Sequence, residues 1–291
     1  MKKDIIKNAI DLHVHTGPDI MPRKYDLQSL IKAEEGKIGG FVTKRHFLPT
    51  SGNSKIETEL KIYDSVTLNN SVGGFNADAV RACAQISKKP LFVFGPTVHA
   101  EKFLRHQEYE IPPEWFGEST EFVPRKASLV QGLVIWDENK KIKKEVLEVL
   151  EAIKEFNCIL ATGHITPEEA EALVREALNL GIEKIILTHP VCPGMEMPIS
   201  IQRELSVLGA YVEHCYTMYS IHKIPIKKIV AQIKEVGAMR CIVSSDVGQV
   251  FSASPSESLS LFYDLLIAEG ITEAEMETMI VKNPIKILRV D

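Results

Sequence analysis

The sequence predicts an α/β protein: a (β/α)8 TIM barrel of parallel strands. Three observations carry that prediction. Short β-branched apolar runs alternate with amphipathic helical patterns along the whole chain. That order gives parallel strands joined by right-handed crossovers. Four of the runs end on metal-seeking residues: Asp11-Leu12-His13-Val14-His15, Ile159-Leu160-Ala161-Thr162-Gly163-His164, Ile185-Ile186-Leu187-Thr188-His189 and Ile242-Val243-Ser244-Ser245-Asp246. A parallel barrel gathers the C-terminal ends of its strands at one rim, where its chemistry usually sits. The length, 291 residues, suits one barrel of ~250 residues with modest insertions. An open doubly wound sheet is the alternative. No glycine-rich phosphate fingerprint follows any strand, which weakens it.

Taken in order, strands are expected at 9–15, 40–46, 63–69, 91–97, 157–163, 184–189, 210–214 and 240–246. Most are short and apolar, as strands covered on both faces should be. Helices fill the intervals. Asn76 caps a helix carrying Val80, Cys83 and Ala84, and another runs from Lys144 to Phe156. Thr166 opens the clearest one, with Pro167 in the first turn and Glu169 closing a capping box. Ala170, Leu173, Val174, Ala177 and Leu178 form its apolar stripe, and Gly181 ends it. Ile226, Ile229, Val230, Ile233 and Val236 repeat the pattern before Gly237, and Leu259 to Ala268 does so before Gly270.

One interval is too long for an ordinary crossover. Between the fourth and fifth strands lies an insertion over about 100–143, in a chain that otherwise reads as a single barrel domain over 1–291. Part is irregular (Ile111-Pro112-Pro113-Glu114-Trp115-Phe116-Gly117). Part reads as a hairpin, Gly132 to Trp136 followed by Asp137-Glu138-Asn139-Lys140. Residues 105–135 are expected to serve as a lid or an oligomer contact, or else to decorate the barrel.

Composition narrows the function classes. The net charge is -5 with lysines and arginines dispersed, which argues against nucleic acid as a partner. No apolar run approaches the ~20 residues of a membrane span, and the N-terminal stretch has no signal-peptide core, so a cytoplasmic protein is expected. The five cysteines, Cys83, Cys158, Cys192, Cys215 and Cys241, form no CxxC pair and read as reduced thiols. A small-molecule substrate is the expected partner, and the chain allows a homo-oligomer.

The candidate site is read from side-chain parity. His13 and His15 lie two apart on one strand face and can reach one ion with Zn–N bonds of ~2.0–2.1 Å. Asp11 shares their parity and is expected to orient them. His164 follows Leu160 and Thr162 at period two, His189 follows Ile185 and Leu187, and Asp246 follows Ile242 and Ser244. Lys44 and His46 share parity with Val42 and are expected to point inward as substrate-binding groups. Glu213 and His214 are neighbours, so at most one faces the interior; period two alone does not choose. His99 reads as a loop histidine, and His106 and His222 as solvent-facing. Arg23, Arg45 and Arg105 approach the mouth from loops, which suits an anionic substrate.

These residues resemble the amidohydrolase superfamily of metal-dependent barrels: HxH on strand one, His on strands five and six, Asp on strand eight. The closing Asn283-Pro284-Ile285-Lys286-Ile287-Leu288 resembles that superfamily's last helix. Val72-Gly73-Gly74-Phe75-Asn76, Ala161-Thr162-Gly163-His164 and Ser245-Asp246-Val247-Gly248-Gln249 resemble an uncharacterised amidohydrolase-like branch. The resemblance implies that His13, His15 and Asp246 hold a deeper metal. It implies that His164 and His189 hold a second ion or face the substrate. Binuclear members bridge their ions with a carboxylated Lys or a Glu, commonly on strand four. Here strand four ends Gly95-Pro96-Thr97-Val98-His99, and Lys44 on strand two is the nearest lysine, read as a substrate-binding cation rather than a bridge.

The function this implies is hydrolysis of a C–N or C–O bond through a metal-activated water. The cofactor is one or two divalent ions, Zn first, then Mn or Fe. Asp246 acts as the proton acceptor, with His189 and His214 (or Glu213, whichever faces inward) steadying the oxyanion. Non-oxidative decarboxylation is a second expectation. A phosphoesterase is a third, although Asp246-Val247-Gly248 lacks the Asp-x-His ending usual there. A non-enzymatic metal-binding barrel is a fourth.

Overall fold

A computed structural model describes residues 2–88, 90–116 and 123–289. Its strands are β1 Ile10–His15, β2 Gly40–Lys44, β3 Lys61–Tyr63, β4 Ser65–Thr67, β5 Phe92–Phe94, β6 Ile159–Ala161, β7 Ile185–Leu187, β8 Tyr211–Cys215 and β9 Cys241–Ser244. All ladders are parallel, in the order β1-β2-β3 and β4 to β9. The expected strand at 63–69 is two segments, broken at Asp64. The Asp64 carboxylate accepts the N–H groups of Gly52 and Ser54 and the Ser54 hydroxyl, which pulls that residue out of the ladder. Counting β3 and β4 as one stave gives eight. The sheet closes where Asp246 N–H donates to the His13 carbonyl and His15 N–H to the Val247 carbonyl, each at 2.8 Å.

The core has two layers. Ile10, Leu12, Val42, Phe92, Phe94, Ile159, Ala161, Ile186, Tyr211 and Ile242 fill the barrel interior. Val93, Leu160, Ile185, Leu187, Val212 and Val243 face outward and pack with helix residues such as Val146, Leu173, Leu205 and Ile229. Burial of such side chains stabilises by ~1.5–3 kcal/mol each relative to exposure. These two sets fix which parity points inward on every stave.

The helices follow their local signals. Pro167–Asn179 opens with the complete Thr166/Glu169 capping box, and Ala77–Ile86 is capped by Asn76. Lys144–Glu155, Ile226–Val236 and Pro255–Ala268 lie where their apolar stripes predict. The helix Asn283–Leu288 sits at the start of β9, with Asn283 Nδ2 donating to the carbonyls of Ala238 and Cys241.

The insertion is only partly as expected. The hairpin reduces to one antiparallel bridge, Trp136 to Ile142, while Leu133 pairs in parallel with Ala100. Asp137 explains this. Its carboxylate takes the N–H groups of Asn139 and Lys141 and tightens the turn, leaving no room for a ladder. His99, expected in a loop, is buried and holds the insertion down. Its Nδ1 accepts Asn70 N–H and its Nε2 bonds Glu110, which also pairs with Arg125. Residues 117–122, including the Gly117 of the irregular stretch, lie outside the described residues.

Candidate metal centre

The ladder between β1 and β2 slips by one residue between Asp11 and Val14. Such a bulge re-aims the side chains that follow it. Ile10 and Leu12 fill the interior before the slip, and His13 and His15 face the site after it. Asp11, expected to orient the two rings, instead accepts the backbone N–H groups of His13 and Ser245 and ties β1 to β9. Burial pushes its carboxyl up to about 7.

The ring of His13 is oriented by Glu213, whose Oε2 lies 3.1 Å from Nδ1. Glu213 shares the inward parity of Tyr211, whereas His214 shares the outward parity of Val212. Neither ring nitrogen of His214 has a hydrogen-bond partner among the described residues, and burial pushes its pKa down to about 4. Burial opposes the charge on Glu213, but His13 outweighs it and keeps the carboxylate ionised. His13 Nδ1 therefore donates to Glu213. Its Nε2 faces Lys44 Nζ at 2.9 Å and Asp246 Oδ1 at 3.1 Å.

Asp246 lies two residues beyond β9 with φ +57°, and His189 two beyond β7 with φ +26°. Both backbones are in the region that non-glycine residues avoid, a cost of ~1–3 kcal/mol each that concentrates at functional sites. Asp246 Oδ1 lies 3.0 Å from His15 Nε2, and Oδ2 accepts the Thr217 hydroxyl at 2.6 Å. Burial alone would raise the Asp246 pKa; His13, His15 and His189 outweigh it and hold it well below the ordinary range. Arg23, itself paired with Asp19, donates to His15 Nδ1 at 3.1 Å. Lys44 is fully buried over the Phe94 ring, and burial lowers it to about 8.

His164 and His189 reach the site by a different route from the one parity predicts. Leu160, Ile185 and Leu187 face outward, so straight strands would aim both histidines away. Gly163, at φ +71°, and the left-handed His189 itself reverse the direction. No other residue fits at 163: a Cβ there would lie 2.5 Å from the Gly95 carbonyl oxygen. The ring centroids of His164 and His189 are 4.9 Å apart, and His189 lies 5.9 Å from His13. Burial lowers both, His189 to about 4. Their Nδ1 atoms are buried without partners among the described residues.

A cavity of about 20 Å3, room for about one water, lies between His15, His46, His164, His189 and Asp246. Trp115 of the insertion stacks on His46 at 5.4 Å and 16° and lies edge-on to His164. His222, expected in solvent, is half-buried and lines the same cavity, because the turn after the helix Tyr216–Ser220 folds back over the rim. Cys192 also lines it, with a thiol pushed up to about 12 by burial. Arg45 bonds the carbonyls of Gly17 and Pro49, and Arg105 pairs with Glu101. Thr217, Thr97 and Asn69 carry no sequence signal: each acts through contacts with residues distant in the chain.

Ligand atoms of His13, His15 and Asp246 lie within 4.8 Å of one another, and so do those of His13, Glu213 and Cys215. The first set fits a divalent cation in chemistry as well as distance. His13 Nε2 and His15 Nε2 lie 3.1 and 3.0 Å from Asp246 Oδ1, so two imidazoles and a carboxylate, donor types that suit a divalent ion, meet at one point.

Fold and rim together define a parallel α/β barrel whose strand ends gather buried histidines and an aspartate. Solved structures share the fold at low sequence identity. The phosphotriesterase homology protein of Escherichia coli, complexed with phosphate, is 12% identical with a TM-score of 0.53, covering 98% of this chain and 99% of that one. An amidohydrolase of Pseudomonas aeruginosa is 9% identical with a TM-score of 0.54, covering 99% and 98%. The dihydroorotase of Campylobacter jejuni is 11% identical with a TM-score of 0.55, covering 98% and 84%. No curated protein matches the chain by sequence. The chain belongs to the family of unknown function DUF6282, whose model matches residues 8–213. No helix among the described residues is long and apolar enough to cross a membrane.

Proposed function

We propose that this chain is a metal-dependent hydrolase acting on a C–N or C–O bond of a small molecule. The observation that carries this reading is the buried convergence of His13, His15 and Asp246 at the rim of the barrel. His13, His15 and Asp246 would hold the ion, with zinc the first choice for imidazole and carboxylate donors. His164 and His189 would take a second ion or the substrate. A bound divalent ion supplies Lewis acidity and brings the pKa of a water from 15.7 to ~7.

The protein's own groups supply the rest. Glu213 fixes the His13 tautomer, a carboxylate–histidine arrangement that raises ligand basicity. Asp246, ionised and fixed by Thr217, accepts a proton and passes it to the leaving group. His189, neutral down to about pH 4, offers an N–H to the developing oxyanion. The small cavity and its Trp115 roof exclude bulk water, so substrate entry requires the roof to move. Elemental analysis and zinc titration test the reading: about one ion or more per chain is expected, lost in the double variant His13→Ala/His15→Ala. A native protein that neither carries nor takes up a divalent ion would overturn it.

A further inference from the structure

We infer that His46 is a hydrogen-bond donor through Nε2, its tautomer set by Thr97 and Asn69, placed to hold an oxygen of the substrate beside the metal centre. Backbone N–H groups, whose donor role cannot change, fix the orientation of the network. Asn69 Oδ1 accepts the N–H of Thr97 at 2.9 Å and of His99 at 3.3 Å. Only the amide oxygen can do this, so the Asn69 amide is oriented and Nδ2 is a donor. Nδ2 donates to the His46 carbonyl and to Thr97 Oγ1, both at 2.8 Å. Thr97 Oγ1 has therefore accepted already and has its own proton to give. Among the described residues the acceptor within reach is His46 Nδ1, at 2.9 Å.

The other tautomer would leave the buried Thr97 hydroxyl proton unpaired, a cost of ~1–3 kcal/mol. All three side chains are buried, so water does not relieve that cost. With Nδ1 occupied as an acceptor, the single ring proton lies on Nε2. That end of the ring has no hydrogen-bond partner among the described residues, and His46 lines the cavity beside His15 and Asp246. The Trp115 stack and the His15 ring, 4.6 Å away, fix its plane.

Two consequences follow. An N–H at Nε2 excludes His46 as a metal ligand, although it stands within the histidine cluster. The same N–H selects a substrate with a carbonyl or carboxylate oxygen next to the scissile bond. The tautomer is independent of the hydrolase reading; the role toward substrate rests on it.

The tautomer is read by long-range nitrogen–proton NMR on histidine-labelled protein, with the His46 signals identified by their loss in His46→Phe. A pyrrole-type Nε2 and pyridine-type Nδ1 are expected, with and without zinc. Thr97→Val should release the preference, and Thr97→Ser should retain it. If Thr97→Val does not fold, the native spectrum decides. A pyridine-type Nε2, or one that zinc converts to a coordinated nitrogen, overturns the inference. His46→Phe keeps the stack on Trp115 and should bind zinc with native stoichiometry. Acetate, the probe for an oxygen ligand, should bind this variant at least about tenfold more weakly. Lower zinc stoichiometry, unchanged acetate affinity, or no acetate response in the native protein each overturns the donor role. Native protein that takes no zinc but shows the expected tautomer would sink the hydrolase reading and leave this assignment standing.

Discussion

The two sides of the rim are built on opposite terms. On the side of β8, β9, β1 and β2, the polar site groups bond to one another: Glu213 to His13, Lys44 to His13, Asp246 to His15 and Thr217, Arg23 to His15. On the side of β6 and β7, His164 and His189 have buried Nδ1 atoms with no partner among the described residues. The first side is organised by the protein alone, and its geometry belongs to the fold. The second keeps hydrogen-bonding capacity in reserve, at a cost of ~1–3 kcal/mol per buried unpaired group. A ligand between His164 and His189 would recover that cost. The difference teaches where to expect the first ion and where to expect whatever binds second.

Asp246→Asn attacks the organised side at its centre and should have the largest effect. The amide keeps the shape but loses the charge and the basic oxygen. Turnover should fall by at least ~10²-fold with the thermal melt near native. Near-native turnover in a folded variant would show that Asp246 is structural.

Glu213→Gln should come next. It removes the acceptor that fixes His13, so zinc affinity measured by calorimetry should fall by ~10–100-fold. The matching change on the outward face, His214→Gln, should leave zinc affinity unchanged. Equal effects would mean that β8 presents its two neighbours differently from the arrangement described.

His164→Phe sharpens the contrast by its sign. Removing a group with an unpaired buried nitrogen should leave the metal-free fold unharmed or stabilise it by up to ~1–3 kcal/mol. Chemical denaturation of the zinc-free variant measures this. A clear loss of stability would show that the reserve side is bonded after all.

The smallest effect is the pH response of His214. Its pKa is 6.5 ordinarily and about 4 in the fold. As pH falls below 6.5 the unfolded chain takes a proton and the folded one does not. Stability is therefore full above 6.5 and declines toward pH 4, with a slope of ~1.4 kcal/mol per pH unit for one such group. His214→Phe should remove one group's share of that slope, in zinc-loaded and metal-free protein alike. The same slope in variant and native protein would show that His214 is not buried as a neutral ring.

Much of this molecule is legible without coordinates, because many of its determinants are local. Thr166, Pro167 and Glu169 set a helix start within four residues. The apolar stripe of 226–236 sets a helix face, and the alternation of runs sets a parallel barrel. The order HxH, His, His, Asp names residues that meet at the rim because each closes its own apolar run. What only tertiary structure decided depends on contacts between distant residues or on departures from regular backbone. The bulge between Asp11 and Val14 turned Asp11 from ring partner to strand tie. Left-handed backbones at Gly163 and His189 brought two histidines inward from the face that parity gave them. Tyr211 in the interior assigned Glu213, not His214, to His13 across 200 residues of chain, and Thr97 reached His46 across 51. Periodicity describes a strand while it stays a strand. The site lies where these strands end, and there side-chain direction is set by whichever distant groups the closed barrel brings within hydrogen-bond reach.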